Sequence, residues 1–172
     1  MSQLRSDEYP AFYATYIDTV FGDVMQVLNE QITSFPAFLD AVPAGRSEYA
    51  YAEGKWTIKE VVGHVLDTER IMAYRALRFA RNDTKALPGF EQEEFVTNAR
   101  FNERSLSSLA EEFVLLRKSN MALFNTFNET EQNRRGLASD RLISVRAFFY
   151  IIAGHLNHHR NIIKERYLDT MV

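Results

Sequence analysis

His155 and His159 stand four positions apart in the stretch Ile151-Ile-Ala-Gly-His155-Leu-Asn-His158-His159, where apolar residues recur with helical spacing. On a helix, residues four apart project from one face, one turn above the other, so the two imidazoles form a clamp for a small cation. Their helical neighbours Phe148, Ile151, Ile152 and Ile162 make an apolar stripe, which turns both rings inward. The chain has four histidines, and the remaining one, His64, lies 91 positions before His155. It too sits mid-helix, with Val61, Thr68, Ile71 and Arg75 on the same side. If the two helices adjoin, His64 supplies a third nitrogen. Three imidazoles and an open position make a catalytic rather than a structural metal site. Such an ion lowers the pKa of a bound water or polarises a bound group. His158 is turned about 60° from His155 and about 100° from His159 on an ideal helix, towards the site rim or solvent. On spacing alone, three hydrogen-bonded core histidines account for the pattern equally well.

Other chemistries fit less well. A ferritin-like carboxylate site needs Glu-x-x-His pairs, and no histidine here has a glutamate three positions before it. Zincin chemistry needs His-Glu-x-x-His, whereas the chain reads His155-Leu-Asn-His-His159. No nucleophile-elbow glycine pattern supports a Ser/His/Asp triad. Cysteine is absent, which removes disulfides, thiolate nucleophiles and Cys-type zinc sites, and fits a reducing cytoplasm. The formal net charge of −3 gives no positive field for a polyanion, so nucleic acid is not expected as a partner. The N-terminus lacks the apolar core of a signal peptide, and no apolar run of about 18 residues could span a membrane. Residues 1–172, 46% of them hydrophobic and 25% charged, read as a single cytoplasmic domain.

Four long segments of helical periodicity must position the histidines. The first runs from about Pro10 to Phe35, with Phe12, Tyr13, Tyr16, Ile17, Val20, Phe21, Val24, Val27, Leu28 and Ile32 as its apolar positions. Pro36 and Pro43 break the pattern. The second starts at Thr57, which with Glu60 forms a capping box, and runs to about Phe79. Trp56 and Val61 are placed as a hydrophobic staple across that start. Residues 81–104 form a long connection with Phe90, Phe95 and Phe101 packed onto the body, and long loops of this kind are often functional. The third helix runs from about Ser105 to Asn128, and a polar connection over 128–141 leads to a fourth, capped by Ser144 and reaching about Leu168. No strong strand signal occurs. The fold expected is all-α, an antiparallel four-helix bundle with longer connections between helices 2 and 3 and between helices 3 and 4.

With these residues laid out, the chain resembles the DinB superfamily, including its YfiT-like metal-dependent hydrolases, from about Phe12 to Tyr167. The resemblance is carried by Tyr51-Ala-Glu-Gly-Lys-Trp-Thr-Ile-Lys-Glu60, by Gly63-His64-Val, and by Ser144-Val-Arg-Ala-Phe-Phe-Tyr-Ile-Ile-Ala-Gly-His155-Leu-Asn-His-His159. In that family a histidine of the second helix and a His-x-x-x-His pair of the last bind a divalent metal, positions held here by His64, His155 and His159. The resemblance implies a DinB/YfiT-like bundle, a homodimer, and zinc or nickel as the ion. It also implies one of several reactions: transfer of a low-molecular-weight thiol such as bacillithiol, mycothiol or glutathione, or maleylpyruvate isomerisation.

Three functions follow as expectations. In the first, the ion holds a low-molecular-weight thiol cosubstrate as thiolate for attack on an electrophile. Arg75, Arg78 and Arg166 are then candidates to hold a carboxylate-bearing thiol, and Trp56 with Tyr51 to line a pocket. In the second, the ion activates water for hydrolysis, with Glu60, Asp67, Glu69 or His158 as proton carrier. In either, the reacting group is metal-bound water or thiol, with Glu60 and His158 as helpers. In the third, the chain is a non-catalytic module whose metal is sealed or closed by a fourth protein ligand.

Overall fold

The computed structural model describes residues 4–168; the ends of the expected 1–172 unit, residues 1–3 and 169–172, lie outside them. The first predicted helix is in fact two pieces. A 3-10 turn at Ala11–Tyr13 runs into α1 (Ala14–Ile17), the chain breaks, and α2 (Val24–Asp40) starts afresh. Gly22 takes φ +82°, a conformation cheap only for glycine. Asp23 then caps α2 by accepting from the backbone N–H groups of Met25 and Gln26. Periodicity runs on across the break because Ile17 and Val24, on either side of it, enter the same core. Phe12 and Phe21, expected in that core, are instead 60% and 82% exposed. Pro36 does not stop α2 but lies inside it, between Phe35 and Leu39, whose burial holds the last turn.

The predicted capping box opens α3 (Ile58–Ala80), with Thr57 accepting from the Glu60 N–H and the Glu60 carboxylate from the Thr57 N–H. The long connection after it carries α4 (Gln92–Ala99) and a 3-10 turn at Phe101–Glu103. Phe101 is buried there as expected, whereas Phe95 is exposed. Ser105 caps α5 (Leu106–Phe124), four residues shorter than expected. The second connection is not merely polar loop. It holds α6 (Glu129–Asn133) and an antiparallel hairpin of β1 (Arg135–Ala138) and β2 (Arg141–Ser144), in register Arg135↔Ser144 to Ala138↔Arg141. Strands this short carry too few alternations to register as a period. Ser144 caps α7 (Val145–Ile162), which ends in a π-helical turn at Ile163–Leu168. Among the described residues no helix is long and apolar enough to cross a membrane.

Helix α2 packs against α5 and α7, and α3 packs against α7 and α5. The consecutive helices α2 and α3 therefore face each other across the diagonal, unlike a bundle in which each helix neighbours the next. Two apolar clusters fill the interior. One gathers Phe79, Phe124, Phe148 and Phe149, and the other Phe35, Leu66, Phe113 and Leu156. Along each long helix a polar residue separates the two. Arg117 donates Nε and Nη2 to the Glu69 carboxylate at 2.7 and 2.8 Å, and Nη1 to Gln31 Oε1 at 2.6 Å and the Leu28 carbonyl at 3.1 Å. Gln31 in turn donates to the Ala153 carbonyl and to Asn157 Oδ1, both at 2.9 Å. One buried network thus ties all four bundle helices at one level.

Helix α7 also meets α1 at very close range. A Cβ on Gly154 would sit 2.1 Å from the backbone oxygen of Tyr16, an atom that cannot swing aside as a side chain would. Gly154→Ala should destabilise the protein by about 1–3 kcal/mol, the usual range for overpacking. Thermal unfolding checks this, at about 2–4 °C per kcal/mol for a chain of this size.

Glu8 anchors the N-terminal segment to the start of α7. It accepts Nε of Arg146 at 2.6 Å and a second bond from its Nη2, and the Ser144 hydroxyl donates to it at 3.1 Å. Burial pushes the Glu8 carboxyl up, but the Arg146 and backbone contacts outweigh it and bring the group from 4.5 down to about 2. Its stabilising contribution is then complete above about pH 4.5 and lost as pH falls through about 2. Urea unfolding at pH 5 and at pH 2 should show about 3 kcal/mol of stability lost through this group, and Glu8→Gln should lack that share of the pH dependence.

Candidate metal centre

Because α3 and α7 adjoin, His64 meets the His155/His159 pair. Four residues of separation stack His155 and His159 on one face of α7, and all three rings are at least nine-tenths buried. His155 Nε2 lies 3.1 Å from His64 Nε2 and 3.1 Å from His159 Nε2. Each histidine offers one ligand nitrogen, and the three atoms all lie within 4.8 Å of one another. Nitrogens sharing an ion at about 2.0–2.1 Å lie roughly 3.0–3.4 Å apart, so both contacts of His155 suit a shared divalent cation. Among the described residues no other histidine, cysteine or carboxylate joins the group.

Burial brings His64 down to about 4 and, with the charges of His64 and His158 adding to it, His159 down to about 3. His155 is pushed well below the ordinary histidine value by burial and then by the neighbouring histidines. Neutral imidazole is the ligating form. His159 Nδ1 is buried with no hydrogen-bond partner, so the ring's polar contact is through Nε2 alone. Three nitrogens gathered on one point, with few hydrogens between them, fit a cation better than a hydrogen-bonded core. Nitrogen donors of this kind favour zinc, nickel or copper over magnesium or calcium.

Two cavities meet at the histidines. The larger, about 430 Å³, is floored by His64 and His155 and reaches Thr68, Arg75, Tyr13 and Tyr16. The smaller, about 230 Å³, is bordered by His159, Trp56, Glu93 and Tyr167. Gln92, at the start of α4, lines both. The long connection thus lines both cavities. Trp56 stands with its ring 4.8 Å from that of His64 and donates Nε1 to Glu93 at 3.0 Å.

The expected helpers are otherwise engaged. The Glu60 carboxylate is taken by its cap and by Asn102 Nδ2 at 2.9 Å, and Glu69 by Arg117. Asp67 lies 3.7 Å from Arg70, away from both cavities. His158 turns off the cluster, half-buried, its ring edge-on to Tyr16 at 5.1 Å. Arg75 and Trp56 do line the cavities. Arg78 pairs with Asp83 and Tyr74 and Arg166 is exposed, and neither lines either of these two cavities. The residues missed in the sequence are Tyr13, Tyr16, Glu93 and Ser139. Only the tyrosines had a signal, as apolar positions of the first segment, and that signal pointed to core.

The fold has a known counterpart. It is similar to the structure of YfiT from Bacillus subtilis, described as a probable metal-dependent hydrolase with an unusual four-helix bundle topology. The two share 18% identity and superpose with a TM-score of 0.72 over 95% of this chain and 94% of that one. No curated protein matches the sequence. The DinB superfamily model, however, matches residues 28–163, a span that holds α2 from Leu28 onward, all of α3, α5 and α7, and all three clustered histidines. By that match the chain belongs to the DinB superfamily.

Proposed function

We propose that this protein is a divalent-metal-dependent enzyme acting on a small molecule, with zinc or nickel held by His64, His155 and His159. The observation that carries the reading is the convergence of three buried, neutral imidazole nitrogens at the meeting point of two cavities. An ion bound there would supply Lewis acidity, making a thiol or water nucleophilic near neutral pH. The protein's own part is to keep the three rings unprotonated by burial and to border the ion with two distinct binding spaces. Two cavities suit two organic substrates, which favours transfer of a low-molecular-weight thiol to an electrophile. The absence of cysteine agrees, since the sulfur would arrive with the cosubstrate.

Hydrolysis is the second reading. Glu93 borders the smaller cavity beside His159 and is placed to carry a proton, and the Bacillus relative is described as a probable hydrolase. A non-catalytic module fits less well, because it expects a fourth protein ligand or a sealed site. The same proposal expects a single cytoplasmic domain that forms a homodimer and has no nucleic-acid partner. Elemental analysis of the purified protein tests the foundation: one ion per chain is expected. Zinc- and nickel-loaded protein is then assayed on paired panels, thiols with electrophiles and esters with amides. Turnover only with the thiol panel supports transfer, turnover only with the second supports hydrolysis, and metal-loaded protein inert to both overturns the enzyme reading.

A further inference from the structure

Three arginines are buried among the described residues, and they are not alike. Arg117 carries Glu69 on two nitrogens and Arg146 carries Glu8 in the same way. Among the described residues Arg75, only 3% exposed, has no carboxylate partner. Its partners are neutral: the Pro88 carbonyl at 2.7 Å, the Ser139 hydroxyl at 3.2 Å, the Met72 sulfur at 3.7 Å and the Tyr13 hydroxyl. A buried guanidinium without a counter-charge is unfavourable unless an anion completes it. Arg75 lines the larger cavity, whose other end is the histidine cluster.

A further observation points to a ligand in the same space. Thr68 is 4% exposed, lines the cavity between His64 and Arg75, and its hydroxyl has no hydrogen-bond partner. Buried hydroxyls are nearly always paired, so this one lacks a partner that a ligand would provide. Ser139 is held at φ +51° and Asp140 at φ +58°, two left-handed residues in succession at the tip of the hairpin. This is the type I′ geometry usual for a two-residue hairpin loop, and it sets the Ser139 hydroxyl against Arg75. Phe12, Tyr13, Tyr16 and Phe90 give the cavity aromatic walls. Among the described residues Glu91, exposed, is the only acidic one lining it, which disfavours a second negative charge.

We propose that the larger cavity binds a monocarboxylate with a flat apolar body, its carboxylate on Arg75 and Ser139 and its other end at the histidines. This deepens the metal-enzyme reading by naming the substrate class, and depends on that reading only for what happens at the histidine end. Arg75 lies about 16 Å beyond His64 along the α3 axis, and helical side chains lean towards the N-terminus, so the ligand spans on the order of 10 Å.

Calorimetric titration with 4-phenylbutyrate and its neutral counterpart 4-phenylbutyramide tests this, using the full chain with and without zinc. The acid should bind at least about tenfold more tightly than the amide, equivalent to about 1.4 kcal/mol. Arg75→Met should erase that preference, while His155→Ala, which removes the metal reading's central ligand, should keep it. Should Arg75→Met fail to fold, Thr68→Val decides. It removes a hydroxyl with no partner in the protein, so the melting temperature should not fall, yet acid binding should weaken about threefold or more. Equal binding of acid and amide, or a preference lost in His155→Ala and kept in Arg75→Met, overturns the proposal. A preference kept by a protein that takes up no metal would sink the metal reading alone.

Discussion

His155→Ala should lower zinc or nickel affinity by at least about 100-fold, since even changes to groups that merely orient a ligand weaken metal binding by about 10- to 100-fold. His155 is the central member of the cluster, with its Nε2 3.1 Å from those of both other histidines. His64→Ala and His159→Ala should act in the same direction. His158→Ala is the control. Its ring packs edge-on to both Tyr16 and His159 but offers no nitrogen to the cluster, so affinity should stay within about threefold of native. The measurement is metal per chain after dialysis, followed by competition with a chelator of known affinity. Thermal unfolding gives an independent readout, because an ion that binds only the folded state adds about 4 kcal/mol at a thousand times its Kd. That increment should vanish in His155→Ala, while the metal-free stabilities of variant and native stay close. Full metal retention by His155→Ala would instead mean that the three rings are core residues, and the proposed function would fall with the site.

Arg117→Met should destabilise the fold by about 3–5 kcal/mol, the range for breaking a buried pair from one side. The substitution leaves Glu69, 2% exposed, with only Asn120 Nδ2 at 3.1 Å to compensate a buried carboxylate. It also frees Gln31, whose amide otherwise fastens α2 to the Ala153 carbonyl and to Asn157 on α7. The melting temperature should fall by roughly 6–20 °C for a chain of this size. Removing both charges in Glu69→Leu/Arg117→Met should recover much of the loss, because no unpaired ion then remains. Urea unfolding of both variants separates the contributions. A loss below about 1 kcal/mol in Arg117→Met would show that apolar packing alone aligns the four helices.

The local features were legible in the residues themselves. Thr57 and Glu60 specify the start of α3, and Ser105 and Ser144 those of α5 and α7, because a cap is a contact between residues two or three apart. His155 and His159 share a face for the same reason: helical geometry over four residues needs no knowledge of the rest of the chain. The break at Gly22 and Asp23 was readable in principle, as a glycine followed by a capping aspartate, but the continuous apolar periodicity masked it. Other features depend on partners far away in sequence. Arg117 reads as a surface charge until Glu69, 48 positions earlier, is brought against it, and Arg75 becomes a buried cation only when the 88–92 connection and Ser139 close over it. Whether His64 would reach the pair on α7 rested on which helices adjoin, and periodicity marks a buried face without naming its neighbour. Here the sequence determined α3, α5 and α7, their caps and the three candidate ligands. The tertiary structure alone decided the diagonal order, the two cavities and the unpaired guanidinium, because burial and charge compensation are set by contacts across the chain.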